Sequence, residues 1–460
     1  MFCVIRTFGA DALLGASQVA LIFSSGIAIA IAMFVYGIPW TRLEEAVNDN
    51  IKNIGSAILI LLLIGAIGGS WMLSGVVPTL ICYGMKVIAP SIFLFAVCLI
   101  CALISVMTGS SWTTIATIGV AMLGIGSAMG YSAAWTAGAI ISGAYFGDKI
   151  SPLSDTTVLA SSAAGTPLTT HIRYMLITTV PSFSIALIIF LVVSLCHGSV
   201  PTEQLTEAGD TLRRTFNISP WLLIVPLLTG VMIARRVPAF LTLLCSAAMA
   251  GIAACIAQPH LINAVAGADG ASLTLANGFK GLLMTWFSET GVDTGNAMYN
   301  DLVATGGMTG MLPTIFLIVC AATFGGVLTG SGMIQSVTEM LTRRISSRTG
   351  MVGATVATGI MSNAATGDQY LSVILTCNLY KKLYEDKGYE PRLLSRSAED
   401  SATVTSVLMP WNSCGMTQAT VLHVPTLEYM PYCFFNIISP LMSIIIAALG
   451  YKIIRKEKTA

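Results

Sequence analysis

The chain has 460 residues, of which 55% are hydrophobic and only 10% are charged. Soluble domains carry about 25% charged residues, so the composition excludes an ordinary soluble protein as well as an acidic disordered one. Twenty-three Lys and Arg against 22 Asp and Glu give a net charge of +1, which leaves no global positive field for a nucleic acid. The composition therefore indicates a multi-pass membrane protein without a nucleic-acid partner.

Seven apolar stretches have about the 20 residues that a membrane-spanning helix needs. They are residues 18–38, 55–82, 172–196, 219–234, 238–257, 311–332 and 428–450. The first is too long for the core of a signal peptide, and no small-x-small cleavage site ends it. We therefore predict that it is a retained transmembrane helix.

Four further apolar regions are interrupted by polar residues. They are 89–129, interrupted at 108–114; 133–168, interrupted at 147–149 and 151–157; 349–380, interrupted at 362–368; and 397–424, interrupted near 409–415. Each is predicted to be a hairpin or a broken helix.

The basic residues predict how these segments are oriented, because Lys and Arg concentrate on the cytoplasmic side. The residues used are Arg235, Arg236, Arg343, Arg344, Arg348, Lys381, Lys382, Lys387, Arg392, Arg396, Lys452, Arg455, Lys456 and Lys458. Loop 258–310, with Asp269, Glu289, Asp293 and Asp301, fits the outside. Region 349–380 then has both ends inside, as a re-entrant hairpin does. Counting the segments back from Arg235 and Arg236 places Lys149 and Arg173 on the inside. Region 89–129 must then enter the membrane from the outside.

Each half of the chain thus contains a span, a hairpin, a broken span and a span, in opposite orientations. The predicted fold is an all-α polytopic membrane protein with inverted-topology repeats, each containing a re-entrant hairpin and a discontinuous transmembrane helix, as in transporters. Weak sequence matches agree: Pro152 and Pro410 are 258 residues apart, and Tyr174-Met175 matches Tyr429-Met430 at 255. The predicted division is an N-terminal helix and linker at 1–54, transport repeats at 55–196 and 311–450, connecting segments at 197–310 and a basic tail at 451–460.

The interrupted regions are rich in hydroxyl and amide side chains. Unwound backbone at membrane depth is tolerated where it lines a cavity, and nearby oxygens can complete a cation shell. The candidates are Ser110, Ser111, Thr113, Thr114, Ser154, Thr156, Thr157, Asn363, Thr366, Asn412 and Ser413. Small hydroxyl residues also help helices to pack closely, so the cluster is stronger evidence than any single member.

Five acidic residues lie inside or beside these regions: Asp148, Asp155, Asp368, Glu399 and Asp400. An ionisable residue at membrane depth is costly and indicates function by default. A carboxyl that binds H⁺ from one side of the membrane and Na⁺ from the other can exchange the two ions, as an antiporter does.

Each acid also has a structural interpretation. Asp148 could pair with Lys149 or Arg173 at the cytoplasmic mouth, and Asp368 could cap a helix. Glu399 or Asp400 could form an interfacial salt bridge with a preceding arginine.

Four other side chains are candidates for gating or shaping the site. His171 and Arg173 begin a helix at the predicted inner face, where they could gate or bind an anion, although capping and anchoring explain them too. Trp112 and Trp411 lie in the polar tips. No buried Lys or Arg is obvious at mid-membrane, which favours a bare cation over an organic anion.

Enzyme motifs are absent from the sequence. There is no G-x-x-x-x-G-K-[ST] for ATP-driven transport and no H-E-x-x-H for zinc. We therefore predict neither an enzyme nor a cofactor, with Na⁺ and H⁺ as transported ions. A channel and an intramembrane aspartyl protease are the alternatives from other classes.

The run from Thr136 to Thr157, which contains G-D-K-I-S-P-L-S-D-T-T, resembles the NhaC-type Na⁺/H⁺ antiporter family. So do T-G-S-S-W-T-T at 108–114, T-H-I-R-Y-M at 170–175, and the segments at 398–415 and 424–430. The resemblance extends from Asp11 to about Leu449. Members usually have another apolar helix before the stretch that begins at Asp11.

The resemblance implies a secondary transporter of the inner membrane that exchanges cytoplasmic Na⁺ for external H⁺. Similar relatives exchange malate for lactate with H⁺ and Na⁺, so an organic-acid exchanger that carries small carboxylates is the alternative. A homodimer in the lipid bilayer is expected. The positions carried over from the family motif are Asp148, Ser151, Ser154, Asp155, Thr156, Thr157, Asp368, Asp400 and Asn412.

Our hypothesis places Na⁺ between the two halves. Asp155 with Thr156 and Ser110 or Ser111 would bind it from the first half. Asp368, Asn363 and Asn412 would bind it from the second half, and Asp148 would gate the site or relay protons. The central ligands are Asp155, Thr156 and Asp368.

Overall fold

The computed structural model describes residue 7 and residues 15–196, 202–268, 273–295, 300, 303–342 and 347–453. In these ranges the chain is helical, and the β-structure is one isolated antiparallel bridge between Thr290 and Thr305. The predicted all-α class is therefore confirmed.

The helices are numbered in chain order. The first half contains α1 Ala16–Ala30, α2 Trp40–Asn53, α3 Gly55–Leu73, α4 Val76–Val87, α5 Phe93–Thr108, α6 Ser111–Ala128, α7 Ala133–Ile150, α8 Asp155–Ala164 and α9 Leu168–Cys196. The middle contains α10 Thr202–Thr215, α11 Ile224–Ala234, α12 Ala239–Ala257, α13 Pro259–Val265 and α14 Leu275–Phe287. The second half contains α15 Leu312–Gly330, α16 Met333–Thr342, α17 Arg348–Thr366, α18 Gln369–Asp386, α19 Pro391–Ala398, α20 Ser413–Leu422, α21 Thr426–Tyr429 and α22 Phe434–Leu449.

Many of these helices are long and apolar enough to cross a membrane. Among the described residues there are seven such segments, or up to nine if each of two bent helix pairs is one span. Large apolar side chains such as Phe23 on α1 and Leu227 on α11 are exposed, as expected where a helix faces lipid tails. The architecture is that of a polytopic membrane protein.

Region 55–82, predicted as one span, contains two helices instead. Gly75 has a φ of 82°, and α4 begins at the next residue. A left-handed residue ends the regular helix. Mean hydropathy cannot detect this break, because apolar residues continue on both sides of it.

The four interrupted regions break where the sequence predicts. The gaps lie at Gly109–Ser110 between α5 and α6, at 151–154 between α7 and α8, and at Gly367–Asp368 between α17 and α18. After α19 the chain continues as a π turn, Glu399–Thr403, and a 3₁₀ turn, Ser406–Leu408, and breaks at 409–412 before α20. Polar tips thus interrupt apolar helices at four places.

The broken helices pack against one another in the interior. Helix α5 lies against α7, α8 lies against α18, and α17 packs against α18 and the π turn after α19. Helix α15 packs on α1 and α2 at the periphery. The polar tips are therefore held inside the bundle.

Loop 258–310 contains α13 and α14 and is not a simple loop. The charges at Arg343, Arg344, Arg455, Lys456, Lys458, Asp269 and Asp301 lie outside the described residues.

Candidate functional site

The first break is a two-residue tip whose backbone groups form hydrogen bonds with nearby side chains. Gly109 has a φ of 67°, and Ser110 caps α6 by accepting a hydrogen bond from Thr113 N at 3.2 Å. Thr108 Oγ1 donates to Ser110 O and accepts from Ser110 N, both at 3.2 Å. Thr114 Oγ1 also donates to Ser110 O, at 2.9 Å. Side-chain hydroxyls thus replace the hydrogen bonds that the helix loses here.

The break between α17 and α18 has the same hydrogen-bond pattern in different residues. Gly367 has a φ of 67°, and Asp368 caps α18 through Oδ1, which accepts from Leu371 N at 2.8 Å. Thr366 Oγ1 donates to Asp368 O at 3.1 Å and accepts from Asp368 N at 3.2 Å. Ser372 Oγ donates to Asp368 O at 2.7 Å. Each of these positions lies 258 residues after its counterpart in the first tip.

The same spacing relates the other breaks. Ser154 caps α8 and Asn412 caps α20. Ser105 Oγ donates to Ala144 O at 2.5 Å, and 258 residues later Asn363 Nδ2 donates to Ala402 O at 2.6 Å. The predicted match between Pro152 and Pro410 has this spacing. The match between Tyr174-Met175 and Tyr429-Met430 does not, because it is three residues out of register.

The tip glycines provide a direct stability test. In Gly109→Ala the new Cβ would lie 2.6 Å from Leu153 Cβ. The alanine would also have to adopt the left-handed backbone conformation of Gly109. We expect Gly109→Ala to lower stability by about 1–3 kcal/mol, measured as a lower thermal midpoint in detergent. The control is Gly353→Ala on α17, where a Cβ has nothing within 4 Å. An unchanged midpoint for Gly109→Ala would contradict the tip geometry.

Asp148 joins the first tip to the break after α7. Its Oδ2 accepts from Ser111 N at 3.2 Å and from Ser111 Oγ at 2.7 Å, while Oδ1 accepts from Ser154 Oγ at 2.6 Å. The carboxyl is buried. It therefore connects the start of α6 with the cap of α8, and its hydrogen bonds go to neither Lys149 nor Arg173.

A cavity of about 680 Å³ lies between the tips of the two halves. From the first half it is lined by Thr108, Ser110, Trp112, Thr113, Asp148, Asp155 and Thr156, and from the second half by Asp368, Gln369, Tyr370 and Ser413. Asp155 is exposed, whereas Asp148 and Asp368 are buried in the wall. The central residues of the sequence hypothesis, Asp155, Thr156 and Asp368, thus line one cavity.

The charge of this lining is mostly negative. Three carboxylates line the cavity against one guanidinium, that of the exposed Arg236. Hydroxyl oxygens of Ser110, Thr113 and Thr156 add neutral ligands. Carboxylate and hydroxyl oxygens are the ligands that a hard cation prefers, so the cavity suits a small cation.

Asp400, the fourth predicted cation ligand, does not line the cavity but belongs to a separate buried cluster. Lys149 Nζ donates to Asp400 Oδ1 and, at 2.8 Å, to Ser439 Oγ. Thr178 Oγ1 donates to Asp400 Oδ1 at 3.0 Å, and Arg396 Nε lies 3.8 Å from Asp400 Oδ2. The three charged side chains have no exposed surface.

This cluster bears on three predictions. Lys149, which the charge count places on the cytoplasmic side, is fully buried in the helix bundle. The expectation of no buried Lys or Arg is wrong, since Lys149 and Arg396 are both buried in the helix bundle. The salt bridge predicted between Asp400 and a preceding arginine exists, but it is buried and not interfacial.

The comparisons with known proteins identify the family. The model of the Na⁺/H⁺ antiporter family matches residues 3–174 and 143–451. The chain belongs to the Na⁺/H⁺ antiporter family. The predicted resemblance is confirmed, and the chain is a multi-pass membrane protein, of the inner membrane if its cell is bacterial.

Curated relatives match nearly the full length of this antiporter-family chain. The Na⁺/H⁺ antiporter NhaC of Alkalihalophilus pseudofirmus is 37% identical over 92% of this chain and 88% of its own. NhaC of Bacillus subtilis is 35% identical over 92% and 91%. The malate-2H⁺/Na⁺-lactate antiporter of Bacillus subtilis is 34% identical over 94% and 89%. At the family level these relatives are transporters and not enzymes.

Several predicted residues of this antiporter-family protein support the cavity without lining it. Asn412 Nδ2 donates to the backbone carbonyl of Asn363 at 3.3 Å and so connects the break at 409–412 to α17. Ser151 Oγ donates to Val106 O at 2.8 Å, and Thr157 Oγ1 donates to Lys149 O at 3.0 Å. These polar side chains donate to backbone carbonyls and do not line the cavity of the described structure.

The candidates for gating divide in the same way. Trp112 lines the cavity, whereas Trp411 donates from Nε1 to Ala364 O at 2.7 Å behind the second tip. His171 Nδ1 pairs with Ser395 Oγ at 2.8 Å in the interior. Arg173 is exposed and does not line the cavity. Trp112 is thus the one gating candidate that contacts the cavity.

Sequence reasoning missed the cavity-lining Gln369 and Tyr370 and the buried Lys149 and Arg396. The only signal for Lys149 was its place beside Asp148, one residue from the break. The 258-residue register would have paired Tyr370 with Trp112 and Gln369 with Ser111.

Proposed function

We propose that this protein exchanges Na⁺ for H⁺ by alternating access, with the cavity between the two halves as the ion site. The observation that carries the proposal is that Asp148 and Asp155, on either side of the break at 151–154, and Asp368, from the break in the other half, line one cavity. A site built from two halves can open to one side and then to the other when the halves move relative to each other.

The cation ligands in this proposal are oxygens at the cavity surface. Asp155 contributes the exposed carboxylate, and Asp368 contributes the second carboxylate from the opposite half. Ser110 and Thr156 supply hydroxyl oxygens. Asp148, buried and bound to Ser111 and Ser154, relays protons at the edge of this site.

We also propose that residues 55–196 and 311–450 contain inverted-topology repeats. Hydrogen bonds in the two tips correspond at a constant spacing of 258 residues, and so do the capping residues Ser154 and Asn412. This constant spacing supports the proposal. In that arrangement each half supplies a re-entrant hairpin and a broken helix. Segments 1–54 and 197–310 then form the surrounding scaffold.

The described conformation is proposed to open towards the cytoplasm. Arg236, with Val237 and Pro238, lines the cavity, and the positive-inside rule places Arg235 and Arg236 on the cytoplasmic side. Na⁺ would enter the cavity from that side and leave after the halves move.

Exchange of small carboxylates is the second candidate, because the malate-2H⁺/Na⁺-lactate antiporter is 34% identical to this chain. The cavity lining argues against it. Arg236 supplies the only cationic side chain of the described lining, and it is exposed. An organic anion would also meet three carboxylates there.

A transport assay tests the proposal. Purified protein is placed in liposomes with an internal pH dye and an imposed pH gradient, and NaCl, KCl, choline chloride, sodium malate and sodium lactate are added in turn. We expect NaCl alone to collapse the gradient and choline chloride to have no effect. A response that requires malate or lactate would overturn cation exchange in favour of organic-acid exchange.

A further inference from the structure

A second cavity, a groove of about 360 Å³, lies between α17 and α22 and shares no lining residue with the ion cavity. Gly353 and Ala357 line it from α17, and Ile437, Leu441 and Ile444 line it from α22. Ala357 and Leu441 are exposed, so the groove is open along the outside of the bundle. None of the residues that line it is charged.

The shape of the groove follows from the sequence of the two helices. Gly353 and Ala357 are one turn apart on the same face of α17, and a Cβ on Gly353 would have nothing within 4 Å. On α22 the apolar wall from Ile437 to Ile444 extends about 10 Å at 1.5 Å per residue. Small side chains on one helix and branched ones on the other thus form a long apolar trough.

One end of this groove has a guanidinium. Arg348, the first residue of α17, donates from Nε to Ala447 O at 2.7 Å and from Nη2 to Ala448 O at 3.1 Å. These carbonyls follow Ile444 by one turn of α22, so the guanidinium lies where the apolar wall ends. Arg348 is half-buried, and it forms no salt bridge with a carboxylate of the described residues. Its charge is therefore available to an anion.

Two neighbouring features add positive potential at the same end. Ser347 Oγ accepts from Gly350 N at 3.0 Å, and the start of a long helix carries partial positive charge that favours an anion. Lys452 and Tyr451, both exposed, follow the end of α22, and such residues mark the boundary between membrane and water. The apolar groove thus begins at a positively charged membrane surface.

We propose that this groove binds an anionic phospholipid of the surrounding bilayer. The headgroup phosphate lies against Arg348 and the start of α17, with Lys452 beside it, and one acyl chain follows the groove towards Met409. Basic pockets between helices at the membrane surface favour anionic headgroups, and the open apolar trough suits a flexible chain. The proposal concerns a separate site and does not depend on the proposed ion exchange.

Lipid titration of the purified full chain in detergent tests the proposal. Phosphatidylglycerol and phosphatidylcholine with the same acyl chains are compared by native mass spectrometry and by the thermal midpoint. We expect phosphatidylglycerol to bind in preference and to raise the midpoint. An equal increase with phosphatidylcholine would overturn the proposal, because the headgroup charge would then have no role. An equal increase with inorganic phosphate alone would also overturn it, because the groove would then not be needed.

A substitution that fills the groove tests the position of the acyl chain. Gly353→Leu places a side chain in the trough, and because leucine favours helix more than glycine does, the midpoint without lipid should not fall. We expect this variant to lose the increase that is specific to phosphatidylglycerol. The matched control is Gly230→Leu on α11, where a Cβ also has nothing within 4 Å; this variant should keep the increase. An undiminished increase in Gly353→Leu would overturn the proposed groove.

A charge substitution tests the position of the headgroup. One basic side chain near a membrane surface contributes a factor of about five in affinity for an anionic lipid, so Lys452→Gln should weaken phosphatidylglycerol binding about fivefold and leave phosphatidylcholine binding unchanged. Lys452 is preferred to Arg348 because Arg348 also holds the end of α22. The control is Lys280→Gln, which changes an exposed lysine on α14. Equal weakening by both substitutions would overturn the headgroup site, since it would show only a response to net charge.

Discussion

Asp155→Asn is expected to abolish Na⁺-driven proton movement in liposomes while leaving membrane insertion and the thermal midpoint unchanged. Asp155 is the exposed carboxylate of the cavity lining and the first residue of α8. Its side chain holds none of the hydrogen bonds that form the neighbouring break, which are made by Asp148, Ser154 and Thr157 instead. The fold should therefore tolerate the change.

The size of the effect follows from the charge that is lost. Replacing a charged ligand by a neutral amide of the same shape removes about 3 kcal/mol of interaction with the bound cation, which corresponds to a factor on the order of 100. Initial rates of pH-gradient collapse at several NaCl concentrations measure it. If the loss is one of binding, high NaCl should recover part of the rate.

A matched control tests whether the effect depends on the position of the aspartate in the cavity. Asp386→Asn changes an exposed aspartate at the end of α18, outside the cavity lining, and should transport like wild type. Wild-type rates for Asp155→Asn at low NaCl would exclude Asp155 as a cation ligand. Asp368 would then be the remaining candidate, although its role as the cap of α18 makes it a less clean substitution.

The breaks in this fold could be predicted from the sequence because their cause is local. A glycine followed by a capping residue ends one helix and begins the next, as in Thr108-Gly109-Ser110 and Thr366-Gly367-Asp368. The two tripeptides are 258 residues apart, and their hydrogen bonds correspond. The match of Tyr174-Met175 with Tyr429-Met430 has a different spacing, 255 residues, and relies on residue identity alone.

The pairing between the halves could not be predicted in this way. Lys149 and Asp400 are 251 residues apart and meet only after folding. Counting basic residues assigns a lysine to the cytoplasm by its position in the chain, whereas its partner decides whether it can be buried. The split of 55–82 at Gly75 was missed for a related reason: hydropathy averages over a residue whose effect is conformational.

Lys149→Met is expected to be the most destabilising of the substitutions considered. The variant removes the ammonium that donates to Asp400 and Ser439 and leaves the buried carboxylate with two hydroxyls, those of Thr178 and Ser439, and the more distant Arg396. Removing one partner of a buried ion pair costs about 3–5 kcal/mol, because the other charge remains without compensation. The expected observation is a large decrease in the thermal midpoint in detergent.

A double-mutant cycle shows whether the cost comes from the stranded charge. Asp400→Asn in the Lys149→Met background removes that charge, so the double variant should be more stable than the sum of the single effects by about 1–3 kcal/mol. Lys381→Met, an exposed lysine on α18, is the control for loss of a positive charge. Additive effects would mean that Lys149 and Asp400 do not compensate each other, and Arg396 would then be the partner that keeps Asp400 ionised. With coupling of the expected size, the pair joins α7 of the first half to the π turn of the second half, so its strength sets how firmly the two halves are held in this conformation.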